Sequence, residues 1–236
     1  MIPKIIHYCW FSSDFTEEAK RCIDTWHKYM PDYQFKHWNT KNFDVNSVPY
    51  VREAFNSGKY AFASDYVRLY ALYTEGGIYL DCDIEVFKSF DDILSYKAFA
   101  GFEGSKHQPL MGAMMASEAG GVWVKEQLDE YRNARFIKPD GSLDLMTNTV
   151  RITERMKKDG FIANGKEQDY KDLHVFPTEY FCPRQTTGEY LKTEKTFCDH
   201  LGACGWGKNK KDSVIMKMLG AKNMTCLIKL KRKLLG

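Results

Sequence analysis

Residues 64–83 read SDYVRLYALYTEGGIYLDCD. Asp81 and Asp83 stand one residue apart at the close of a short apolar run, and Asp65 and Arg68 lie on the segment before it. Charged groups in apolar company are costly unless they are paired or hold a cation. Residues 60–75 are rich in apolar and aromatic side chains and stop at Gly76-Gly77, the pattern of a helix ended by glycine. On that helix Asp65 and Arg68, three positions apart, share a face. The glycine pair lets the chain turn sharply into a third strand, IYLDCDIEVF, residues 78–87. On a strand, i and i+2 share a face, so Asp81 and Asp83 are expected to point one way and Leu80, Cys82 and Ile84 the other. Two carboxylates so close repel each other unless a cation lies between them, and hard oxygen ligands suit Mg²⁺ or Mn²⁺. An isolated Asp-X-Asp is more often a solvated acidic edge strand. The apolar flanks YAFAS and YVRLYALY, with the Asp65/Arg68 helix pinned beside the strand, favour the metal.

Outward from this stretch the chain alternates strand and helix patterns. PKIIHYCWF (3–11) reads as a first strand. A helix follows over 14–30, where Ala19, Cys22, Ile23, Trp26 and Met30 recur at helical spacing before Pro31. YQFKHW (33–38) reads as a second strand and 50–58 as a short helix. KAFAGFEG (97–104), LMGAMMAS (110–117) and LHVFPTEYF (173–181) read as strands, and 120–134 and 145–160 as helices. Such alternation predicts an α/β sheet domain, in which ligands gather at the carboxyl ends of strands. Asp81 and Asp83 lie late in the third strand, where that rule places a site. Trp26, Trp38 and Trp123 are expected in the core, His7 as a hydrogen-bonded structural histidine, and Asn148 as a helix N-cap.

The chain has 236 residues, 44 % of them hydrophobic and 14 % aromatic, enough for one sizeable packed domain and contrary to disorder. Its seven cysteines are odd in number and contain no Cys-X-X-Cys pair, which argues against a disulfide framework and for a reducing, cytoplasmic setting. The N-terminal run lacks the apolar core of a signal peptide, and no stretch approaches the ~18 apolar residues of a membrane span. The net charge is +3. Residues 208–236 hold nine Lys or Arg and one Asp, +8, so residues 1–207 carry 3 − 8 = −5. The body is thus acidic and gives no support for nucleic-acid binding. The tail interleaves Leu, Ile and Met with Lys and Arg, as an interfacial amphipathic segment would. The expected division is a catalytic domain over 1–207 and a basic amphipathic tail over 208–236.

The string SDxxRxxxLxxxGGxYLDxD, matched here by Ser64, Asp65, Arg68, Leu69 or Leu72, Gly76, Gly77, Tyr79, Asp81 and Asp83, resembles the core signature of glycosyltransferase family 32. IPKIIHYCWF resembles that family's opening strand, and DHLGACGW (199–206) its closing motif, with Gly205 in place of the usual Ser and Leu201 in place of the second His. The resemblance implies a GT-A fold: a mixed central sheet flanked by helices that binds a nucleoside diphosphate sugar. It implies Asp83 as the direct ligand of Mn²⁺ (or Mg²⁺), with Asp81 at the ribose or holding the metal through water. Asp65 and Arg68 would take the donor sugar's hydroxyls and Trp10 would stack on the base. Tyr79 belongs to the substrate-binding set. His200 and Trp206 would close over metal and diphosphate.

By this resemblance the chain is expected to be a metal-dependent, retaining hexosyltransferase of surface polysaccharide synthesis, such as capsule or lipopolysaccharide. UDP-hexose is the favoured donor and GDP-mannose the runner-up, and the acceptor is a glycan or a lipid-linked glycan. The tail implies peripheral contact with anionic lipid on the cytoplasmic face of the plasma membrane. Two other readings fit an Asp-X-Asp: a metal-dependent phosphohydrolase or nucleotidyltransferase, and a non-catalytic nucleotide-sugar or carbohydrate-binding module.

Overall fold

A computed structural model describes residues 1–12, 14–104, 110–185 and 187–202. Seven strands form one mixed sheet in the order β2-β1-β3-β6-β5-β8-β7. β1 (Ile5–Cys9) runs parallel to β2 (Gln34–Trp38) and to β3 (Gly77–Leu80). β6 (Leu110–Ser117) runs antiparallel to β3 and to β5 (Ala98–Phe102). β8 (Leu173–Phe176) lies parallel to β5, and β7 (Gln168–Tyr170) closes the edge. A separate two-stranded sheet pairs β4 (Ile84–Val86) with β9 (Cys198–His200). This is the mixed α/β architecture expected from the GT-A resemblance.

The helices follow from local chemistry. In α1 (Glu17–Tyr29) Thr16 caps the first turn by accepting from Ala19 N–H at 3.1 Å, and Ala19, Cys22 and Trp26 form its buried stripe. Pro49 opens α2 (Pro49–Asn56), where its missing N–H costs nothing. α3 (Tyr60–Glu75) buries Ala63, Val67, Leu69, Ala71 and Leu72, with Asp65 and Arg68 among them. α4 (Val122–Asp129) and α5 (Asn148–Lys158) are shorter than the expected 120–134 and 145–160. In the first case the chain leaves the helix at Glu130.

The turn from α3 into β3 requires both glycines. Gly76 has φ +67° and Gly77 φ +112°, and a Cβ on Gly77 would stand 2.6 Å from Ile5 O. His7 locks this turn. Its Nε2–H donates to Gly76 O (2.8 Å), and its Nδ1 accepts from Trp38 Nε1–H (3.1 Å). Burial lowers the His7 pKa, and the neutral tautomer satisfies both partners.

Two apolar clusters hold the sheet. One gathers Trp38, Tyr50, Val67, Leu72 and Trp123; the other gathers Ile6, Trp26, Phe90, Phe99 and Phe181. All three expected core tryptophans are buried.

Two expected strands are corrected. Residues 78–87 are not one strand: β3 ends at Leu80, residues 81–83 turn, and β4 starts at Ile84 in the other sheet. The turn is closed by Ile84 N–H donating to Asp81 O at 3.0 Å. Residues 173–181 are β8 followed, after Pro177, by a short helix α6 (Thr178–Phe181). The expected tail, 208–236, lies outside the described residues.

Candidate active site

Asp81 is the last residue that β3 holds in the main sheet: its N–H donates to Ala113 O at 2.8 Å, one step beyond the β3–β6 ladder. From there the chain turns through Cys82 and Asp83. The two carboxylates are therefore brought together by a turn at a strand end, not by alternation along a strand.

The third group arrives from far along the chain. Pairing of β4 with β9 sets His200 opposite Ile84, and Leu201 N–H donates to Asp83 O at 3.1 Å. This places His200 Nε2 3.4 Å from Asp83 Oδ1. One ligand atom from each of Asp81, Asp83 and His200 lies within 4.8 Å of the others. Two carboxylate oxygens and an imidazole nitrogen form a donor set that a divalent cation could take. Burial alone would lower the His200 pKa, but Asp83, Asp81 and Glu103 hold it up at about 9.

Behind the turn lies Arg68, 4 % exposed. Its guanidinium meets Asp65 Oδ1 at 2.9 Å, Asp81 Oδ2 at 3.3 Å and the carbonyl of Gly112. It also lies 4.8 Å from the centre of the Tyr79 ring, a cation–π distance. Tyr79, wholly buried, donates its hydroxyl to Asp81 Oδ1 at 3.1 Å. Asp81 is thus gripped on both oxygens. Burial raises the Asp65 carboxyl to about 7 against the pull of Arg68. Burial also raises Asp81, with Arg68 opposing.

Asp65, Arg68, Tyr79, Asp81, Asp83 and His200 therefore converge. Trp10 lies one residue past Cys9, whose carbonyl faces the Cys82 thiol at 3.8 Å, so the end of β1 abuts the acidic turn. The indole is 4 % exposed, packs 5.2 Å from Phe15 and donates to Asp14 O at 3.0 Å. Trp206 and Gly205 lie outside the described residues. Asn148 is not the N-cap of α5; Thr147 holds that position and Asn148 is the first helical residue.

Glu103 is absent from the sequence expectations. It accepts from Thr149 Oγ1 at 3.1 Å, burial raises its pKa, and its charge is felt by His200. Its position just past the end of β5 satisfies the strand-end rule, which was the available signal.

Residues 16–100 match the family model described as the glycosyltransferase sugar-binding region containing a DXD motif. This region includes Asp65, Arg68, Asp81 and Asp83, the core of the cluster. Inositol phosphoceramide mannosyltransferase 3 of Schizosaccharomyces pombe is 34 % identical over 106 residues, 42 % of this chain and 29 % of that protein. Mannosyl phosphorylinositol ceramide synthase SUR1 of Saccharomyces cerevisiae is 30 % identical over 107 residues, 42 % of this chain and 27 % of that protein. The chain thus spans under a third of the length of these relatives. Among solved structures, a glycosyltransferase involved in the glycosylation of the major capsid of PBCV-1 superposes with a TM-score of 0.51. It is 12 % identical and covers 84 % of this chain and 92 % of its own, a likeness of fold.

Proposed function

We propose that the chain is a divalent-metal-dependent glycosyltransferase that moves a hexose from a nucleoside diphosphate sugar to a lipid-linked or glycan acceptor, with retention of configuration. The observation that carries this reading is the meeting of Asp81, Asp83 and His200 within 4.8 Å, inside the sugar-binding family's fold and against a buried Asp65–Arg68 pair. The relatives' names speak for mannose as the sugar and for inositol phosphoceramide as the acceptor type, which raises GDP-mannose beside the UDP-hexoses. Surface polysaccharide synthesis is the other setting this reading admits.

Asp83 and His200, with Asp81, would hold Mn²⁺ or Mg²⁺. When bound, such an ion neutralises diphosphate charge as the sugar leaves. Arg68 and Tyr79 fix the Asp81 carboxylate, so the ligand set is preorganised and not assembled on binding. Asp65, held by Arg68, would accept hydrogen bonds from sugar hydroxyls when ionised. Trp10 stacks on the base wherever Asp14 and Phe15 leave its face. We favour a front-face route in which the departing phosphate oxygen takes the acceptor's proton. Residues 208–236 would keep the chain on anionic lipid at the cytoplasmic face of the plasma membrane.

The test is transfer itself. The full chain is incubated with Mn²⁺, GDP-mannose, UDP-glucose or UDP-galactose, and inositol phosphoceramide or a polyprenyl-linked glycan, and the products are read by mass spectrometry. A hexose mass increment on either acceptor, with the α linkage retained, is expected. Release of nucleoside monophosphate or inorganic phosphate without sugar transfer would instead indicate a phosphohydrolase.

A further inference from the structure

Buried polar atoms in folded proteins are nearly always hydrogen-bonded, and each one left unpaired costs about 1–3 kcal/mol. Ten buried side-chain polar atoms among the described residues have no partner. Five of them belong to four residues that meet beside Asp65 and Arg68: Tyr50 Oη, Tyr131 Oη, Asn148 Nδ2 and Oδ1, and Arg151 Nε. Tyr50 is 0 %, Tyr131 1 % and Asn148 5 % exposed.

Their contacts show that they form one group. The Tyr50 and Tyr131 rings meet edge to face with centres 5.0 Å apart. The Arg151 guanidinium lies 5.6 Å from the first ring centre and 5.2 Å from the second. Tyr131 packs 5.7 Å from Tyr66, the neighbour of Asp65 on α3, and the Asp65 charge is felt by both Tyr50 and Tyr131. Asn148 reaches the same place from α5. A Cβ on Gly112 would stand 2.9 Å from Asn148 Nδ2, and the Gly112 carbonyl is the one that Arg68 grips. A side chain at position 112 would collide with Asn148 and crowd Thr149, so the glycine is what lets the start of α5 close on β6.

We propose that Tyr50, Tyr131, Asn148 and Arg151 form the pocket that reads the hydroxyls of the transferred sugar and so set donor choice. This rests on the glycosyltransferase reading above and extends it beyond Asp65 and Arg68. The chemistry of the four groups selects the class of ligand. Tyrosine hydroxyls and a carboxamide each donate and accept, as sugar hydroxyls do. No cation is left over to take a carboxylate: Arg151 is paired with Asp144, and Arg68 with both Asp65 and Asp81. The pocket therefore fits a neutral hexose and not a uronic acid. Internal water would also satisfy these atoms, and that is the competing account.

The experiment compares wild type with Tyr50→Phe, Tyr131→Phe and Asn148→Ala, all in the full chain. Nucleoside diphosphate release is measured with GDP-mannose, UDP-glucose, UDP-galactose and UDP-glucuronate, and with the 4-deoxy and 6-deoxy forms of the preferred donor. Affinity for UDP and GDP and the melting temperature are measured on the same samples. Loss of one hydrogen bond should lower kcat/KM for the preferred donor roughly 10-fold. The loss should vanish for the deoxy donor lacking the hydroxyl that the residue reads. Affinity for the free diphosphate should stay within about twofold, and Tyr131→Phe should melt no lower than wild type, since that hydroxyl has no protein partner. UDP-glucuronate should be rejected by wild type. If wild type turns over donors and the variants keep its preferences, or lose activity equally on every donor along with melting temperature, the pocket is structural and the proposal falls alone. A wild type that releases diphosphate from no donor overturns the enzyme reading and this proposal with it.

Discussion

Arg68→Lys keeps the charge at the centre of the site and removes the fork that distributes it. The guanidinium addresses Asp65 at 2.9 Å, Asp81 at 3.3 Å, Ser64 O at 3.4 Å, Ser64 Oγ at 3.3 Å and the Gly112 carbonyl. The bonds to Ser64 are long and contribute little. The contacts that matter are the two carboxylates and the carbonyl: Nη2 addresses Asp65, and Nη1 addresses both Asp81 and Gly112 O. A lysine ammonium reaches one or two of them. At a side chain 4 % exposed, one or two acceptors abandoned at about 1–3 kcal/mol each predict a loss of roughly 2–4 kcal/mol. For a chain of this size that corresponds to a fall in Tm of roughly 5–15 °C. Arg68→Met should cost more, because it leaves Asp65 and Asp81 without the cation between them. Scanning calorimetry at neutral pH reads both, and UDP or GDP titration with Mn²⁺ reads the site. Diphosphate affinity should fall in both variants, since Arg68 aims Asp81 at the ligand set. A Tm within about 1 °C of wild type for Arg68→Lys would refute the account of Arg68 as the hub of the site.

The turn before β3 gives a sharper contrast: Gly77→Ala drives a Cβ to 2.6 Å from Ile5 O at φ +112° and should cost about 3 kcal/mol or more in urea unfolding. Gly58→Ala, at φ +66° with nothing within 4 Å, should cost only about 1 kcal/mol, and equal losses would refute the close-approach argument. His7 has a folded pKa depressed by burial, so its contribution to stability is present above its ordinary 6.5 and is lost as pH falls through the lower folded value. Wild type should therefore lose more stability than His7→Asn on acidification, and parallel pH profiles would contradict the neutral tautomer. With His200 held at about 9, Mn²⁺ binding near pH 7 should release close to one proton, seen as buffer-dependent heat in calorimetry and absent in His200→Gln. Buffer-independent heat in wild type would remove His200 from the ligand set.

Local signals carried the chain most of the way. Helical spacing with Pro31 and Gly76-Gly77 as stops located α1 and α3, and the apolar runs located β1, β5 and β6. Residues 78–87 misled because IYLDCDIEVF alternates as a strand does, while its break depends on a partner more than 100 residues away. β4 exists only by pairing with β9, a three-residue strand too short to show periodicity. Asp81 and Asp83 were legible as a pair; the turn that joins them to His200 was not. Residues 173–181 carried a legible stop in Pro177, which ends β8 and precedes α6. Tyr50, Tyr131 and Arg151 carry no signal in the sequence, because an unpartnered polar atom is a property of the packed state. Asn148 was legible as a helix-start residue but misplaced by one position, Thr147 being the cap.

The most direct measurement is donor turnover by the full chain, wild type and Asp83→Asn, with Mn²⁺ or with excess chelator. Nucleoside diphosphate release is followed across GDP-mannose and the UDP-hexoses. The account predicts release from at least one donor by wild type with Mn²⁺. That release should be lost in chelator and cut about 100-fold or more in a folded Asp83→Asn, as expected when charge stabilisation at the leaving group is removed. Undiminished release by Asp83→Asn, or by wild type in excess chelator, would contradict the metal centre on which the account rests.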